Sequence, residues 1–114
     1  MIQSVREQTY SNWELCIANA NPANREVAEI LRIAAKNARI RIAEVPENEG
    51  IAQNTNRALQ IATGEFIALL DHDDLLAPNA LYEIVKAVNE SKGAEVIYTD
   101  EDKITMDGEE YFFP

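Results

Sequence analysis

EFIALLDHDDLLAP, residues 65–78, is the stretch on which the fold turns. Glu65 to Leu70 is a short run, apolar after its first residue and too short for a helix. It predicts the most buried strand of the chain. The apolar character stops at once at Asp71, His72, Asp73 and Asp74, then resumes at Leu75.

Working outward, the period changes from segment to segment. Upstream, Ile51, Thr55, Ala58, Leu59 and Ala62 form a helical stripe, with Gly64 at a C-cap position. The polar turn Glu47-Asn48-Glu49-Gly50 precedes it, and before that Ile40 to Val45 (IRIAEV) alternates as a strand does, ended by Pro46. Val27, Ile30, Leu31 and Ala34 fall at i, i+3, i+4 and i+7, with Pro22 and Asn24 where a helix would start. Trp13 to Ala18 (WELCIA) is an apolar strand candidate with one charge, and a helix containing Ile2 and Val5 opens the chain. Downstream, Pro78 suits the first turn of a helix striped by Leu81, Ile84, Val85 and Val88 and stopped by Gly93. Ala94 to Thr99 (AEVIYT) reads as a further strand, and Asp107-Gly108 as a hairpin turn. Strands alternating with helices imply an α/β fold with a mostly parallel sheet. The 114 residues show no repeat or linker and predict a single domain.

The net charge of −10 disfavours nucleic acid and anionic membrane surfaces as partners. A phosphate-bearing ligand would need a cation or a local cluster of donors. The single cysteine, Cys16, excludes an internal disulfide and reads as a small buried side chain. No apolar run approaches a membrane-spanning length, so the expectation is a cytoplasmic chain.

Ligands of open α/β sheets bind beyond the carboxyl ends of the strands. Asp71 and Asp73 stand at such an end and can converge on one hard cation, Mg²⁺ or Mn²⁺, completed by substrate phosphates. The plainer alternative is a solvated turn with a helix-capping aspartate, Asp74 being the candidate cap. His72 is a poor partner for an oxygen-preferring ion.

The run NEGIAQNTNRALQIATGEFIALLDHDDLLAP, residues 48–78, resembles the nucleotide-sugar-binding core of family 2 glycosyltransferases. The matching blocks are the Asn-x-Gly turn, the Asn-rich helix, the A-x-G-E turn, the apolar strand and the D-x-D, in that order. Gln8-Thr9-Tyr10 followed by Trp13-Glu14-Leu15 is similar to the family's passage from its first helix to its second strand. Thr99-Asp100-Glu101-Asp102-Lys103 resembles a subset of bacterial cell-surface polysaccharide enzymes. The resemblance implies a GT-A fold, a Rossmann-like three-layer αβα sandwich, here incomplete. It implies an inverting, metal-dependent transfer of a sugar from a UDP- or TDP-linked donor to a glycan acceptor. It also implies that Asp71 and Asp73 bind the metal and the sugar diphosphate, with Asn19, Asn48, Gly50 and Asn56 on the donor. Arg57, Asp74, Asp100, Glu101 and Asp102 are further candidates for contact with substrate or metal.

Three features depart from the family pattern. No strand precedes the first helix, Asn19 stands where acidic residues usually hold the nucleoside, and the usual position of the general base lies beyond residue 114. The expectation is a partial nucleotide-sugar-binding domain over residues 1–114, inactive alone. A homodimer or strand-exchanged assembly would complete its sheet. In the full-length protein it would work at the inner face of the membrane. Two alternatives stay open: another Mg²⁺-dependent nucleotidyl- or phosphotransferase, and a non-catalytic acidic interaction module.

Overall fold

The computed structural model describes residues 1–108 and 110–113, the last four for their backbone alone. In chain order the elements are α1 (Ile2–Arg6), β1 (Leu15–Asn19), α2 (Arg25–Ala34), β2 (Ile40–Glu44), α3 (Ile51–Ile61), α4 (Ala80–Glu90), β3 (Glu101–Ile104) and β4 (Glu110–Phe113). The fold is α/β. β1 and β2 run parallel, with Leu15 opposite Ile40 and Asn19 opposite Glu44, and α2 forms the crossover between them.

Local chemistry explains most boundaries. Asn24 caps α2, its side-chain oxygen accepting from the Val27 N–H at 3.1 Å. Gly50 precedes α3 with φ of 94°, a conformation that a side chain would strain. β3 and β4 pair antiparallel, and the intervening turn places Gly108 at φ 87° with its N–H on the Thr105 carbonyl, as Asp107-Gly108 predicts. The buried apolar residues are Val5, Leu31, Ala34, Ile40 and Val45, and α3 packs on β1 and β2.

Three expectations need correction. Residues 65–70 and 94–99 form no strand. Phe66, Ile67 and Leu69 are 53–78% exposed, and Val96 and Tyr98 are more exposed still. The physical reason is the lack of a partner: apolar side chains favour a strand only when a neighbouring ladder takes up its N–H and C=O groups. Among the described residues neither segment has one. The surface is correspondingly large, 8975 Å², against roughly 6,300 Å² for a compact protein of this mass.

The second correction concerns Gly64. α3 stops at Ile61 because Ala62 turns extended (φ −73°, ψ 138°), not through a left-handed glycine cap. Gly64 instead sits in a close approach, where an added Cβ would meet the Phe66 carbonyl oxygen at 3.3 Å. Third, α4 begins at Ala80 with Asn79 as its N-cap, so Pro78 lies ahead of the first turn and Asp74 caps nothing.

Candidate functional site

Asp71, Asp73 and Asp74 come together. One carboxylate oxygen from each lies within 4.8 Å of the others, and all three residues are exposed. The turn is closed by the Asp74 N–H on the Asp71 carbonyl at 3.1 Å. Such an all-oxygen set suits a hard divalent cation that keeps several waters or phosphate oxygens. His72 is exposed between the first two aspartates.

The other sequence candidates form separate groups. Because β1 and β2 are parallel, Asn19 and Glu44 leave the sheet at the same end. Asn19 is buried; its amide donates to Glu44 Oε2 at 3.2 Å and its Oδ1 accepts from the Asn21 N–H at 3.1 Å. Both residues line an open groove of about 360 Å³ between α2 and β2. Beyond β2, Asn48 Oδ1 accepts from the Gly50 N–H (2.9 Å) and from Asn54 Nδ2 (3.0 Å), fixing the entry to α3. Arg57 pairs with Glu49 at 3.0 Å, and Asn56 is exposed on α3. Asp100, Glu101 and Asp102 are exposed, the last two successive on β3 and so on opposite faces.

Sequence reasoning overlooked the residues that hold the neighbourhood of the aspartates. Glu14 accepts from the backbone N–H groups of Thr63 and Gly64 (3.0 Å for the second), from the Thr63 hydroxyl (2.9 Å) and from Arg41 (2.9 Å). The Thr63 N–H above all, aided by its hydroxyl, Gly64 and Arg41, holds the Glu14 carboxyl at about 2, against the partial burial that would raise it. Arg41 also donates to the Ile61 carbonyl at the end of α3. The signal was the lone charge in WELCIA: a carboxylate in an apolar strand run needs donors. On the other side, the buried Gln8 amide donates to the Ala77 carbonyl at 2.7 Å and accepts from the Leu81 N–H at 3.0 Å. Cys16 is half-buried, and burial, with the nearby Glu14 charge, pushes its thiol up.

Comparison with known proteins finds that residues 1–111 match the model of the family described as glycosyl transferase family 2. An uncharacterized protein, y4gI, of Sinorhizobium fredii (strain NBRC 101917 / NGR234) is 48% identical over 109 residues, 95% of this chain and 12% of that protein. Chondroitin synthase of Pasteurella multocida (strain Pm70) is 33% identical over 107 residues, covering 94% of this chain and 11% of the synthase. The Escherichia coli UDP-Glc:alpha-D-GlcNAc-diphosphoundecaprenol beta-1,3-glucosyltransferase WfgD is 36% identical over 80 residues, 70% of this chain and 31% of that enzyme. The chain therefore spans only a small part of these relatives. No solved structure matches.

Proposed function

Since the chain belongs to glycosyltransferase family 2, we propose that it is the donor-binding part of an enzyme that moves a sugar from a nucleoside-diphosphate sugar to a glycan acceptor. The observation that carries this reading is the convergence of Asp71, Asp73 and Asp74 in a chain whose net charge of −10 would otherwise repel a diphosphate. Asp71 and Asp73 would hold a divalent cation, Mg²⁺ or Mn²⁺, with Asp74 the third oxygen within reach. The cation supplies Lewis-acid stabilisation of the charge on the departing nucleoside diphosphate. The acceptor hydroxyl attacks the anomeric carbon from the face opposite the leaving group. The sugar–phosphate bond breaks and the configuration inverts. The hydroxyl proton passes to a carboxylate that we place outside residues 1–114.

Asn19 and Glu44, at the end of the β1–β2 pair, are positioned for the nucleoside of a UDP- or TDP-linked donor. The glucosyltransferase WfgD, whose name gives a UDP-sugar donor, supports UDP. Asn48 and Gly50 shape the turn beside the donor, and Asn56 and Arg57 contribute from α3. Asp100, Glu101 and Asp102 remain candidates on the hairpin side. The chain acts as one partial domain and does not turn over alone. The exposed apolar segments at 66–69 and 96–98 favour a homodimer or strand exchange. For a polysaccharide product we place the full-length enzyme at the inner face of the membrane; no helix among the described residues is long and apolar enough to cross one.

Calorimetric titration with UDP, in the presence and absence of Mn²⁺, tests this reading. Binding should require the metal and disappear in the Asp71→Ala, Asp73→Ala double variant. Binding that ignores the metal, or survives the double substitution, would overturn it.

A further inference from the structure

The aspartate turn gets little support from its own segment. Residues 65–70 enter no ladder, and the turn carries one backbone hydrogen bond of its own, Asp74 to Asp71. Yet both flanks are held, and by one short stretch of chain. Upstream, Glu14 takes the Thr63 and Gly64 N–H groups and the Thr63 hydroxyl, while Arg41 joins Glu14 to the Ile61 carbonyl. Downstream, Gln8 ties the Ala77 carbonyl and the Leu81 N–H to the Ser4 carbonyl, to which its amide donates at 3.0 Å. Ser4 Oγ accepts from the Leu76 N–H at 3.2 Å, and the Thr9 N–H donates to the Pro78 carbonyl at 2.9 Å. The Gln8 amide donates through its nitrogen and accepts through its oxygen from one buried position.

We propose that Glu14 and Gln8 are positioning residues for the Asp71/Asp73 cation site: they fix the two ends of segment 65–76 and so set how closely the carboxylates converge. This rests on the function proposed above. A cation held by two carboxylates on an unladdered segment loses one of them when the segment is free to spread. Supporting groups around metal ligands change affinity by about 10- to 100-fold when removed.

The test uses Mn²⁺ alone as probe. Electron paramagnetic resonance of free Mn²⁺ gives Kd, and water-proton relaxation gives the number of waters left on the bound ion. Asp71→Asn is the control that removes a ligand. Gln8→Met and Glu14→Gln should each raise Kd about tenfold and leave the bound ion with more water. A merely structural role would lower Tm and leave that hydration unchanged. Where circular dichroism shows either variant unfolded, Thr63→Val decides: it removes one donor to Glu14, keeps both backbone amides, and should show the same two changes to a smaller degree. Kd within twofold of wild type and unaltered hydration in the folded variants would overturn the proposal while leaving the function intact. Wild-type binding that Asp71→Asn does not weaken would remove the function reading, and this one with it.

Discussion

Replacing Glu14 by Gln removes one charge from a carboxylate that ties the start of β1 to the exit of α3, and the pH dependence of stability should report it. Its pKa falls from 4.5 to about 2. At about 1.4 kcal/mol per pH unit the linked stability is at most ~3.5 kcal/mol. The side chain is 25% exposed, and solvent screening reduces the contribution to about 2 kcal/mol. The sign follows from the direction. A depressed carboxyl pKa stabilises the folded chain above the unfolded value, and that stability drains away as pH falls from about 4.5 through about 2. Urea denaturation of wild type and Glu14→Gln between pH 7 and pH 2 measures it. The other carboxylates titrate in both proteins, so the difference isolates Glu14. We expect wild type to lead by about 2 kcal/mol at pH 7 and the gap to narrow steadily below pH 4.5. A gap that is absent at pH 7, or constant down to pH 2, would refute the clamp.

Other outcomes follow from single contacts. Asn24→Ala should cost about 1 kcal/mol in urea melts through loss of the α2 cap. Gly50→Ala meets open space but a φ of 94° with ψ of 168°, so its cost of about 1–3 kcal/mol should come from backbone strain alone, with a matching shift in Tm. Arg57→Ala breaks an exposed pair with Glu49 and should change stability by no more than about 0.5 kcal/mol; a larger loss would place Arg57 in a network that the structure does not show.

The parts legible in the sequence were those decided locally. The Asn24 cap, the Pro46 stop and the Asp107-Gly108 turn each depend on one or two residues and their own backbone, and the structure has them where the pattern put them. β1 followed from an apolar run and β2 from the alternation of IRIAEV, and the two pair in parallel across α2. The apolar run Trp13 to Ala18 begins two residues before β1, whose first residue is Leu15; the Trp13 ring lies 3.9 Å from the Arg39 guanidinium, outside the strand. The convergence of Asp71 and Asp73 was legible because two carboxylates one residue apart on a turn have few ways to avoid each other.

What could not be read was anything needing a second piece of chain. FIALL announces a demand for burial, not the means of meeting it. Apolar side chains give a strand its reason, but the ladder is made of backbone groups on a neighbour, and periodicity carries no information about that neighbour. The clamp was hidden for the same reason. Glu14 and Thr63 are 49 positions apart, and Gln8 and Leu81 are 73 apart. Sequence shows at most the unmet need: a carboxylate in WELCIA, an amide at the end of α1. Glu14 and Gln8 find their partners on either side of FIALLDHDD. Segment 65–70, which enters no ladder of its own, is thus held through its flanks.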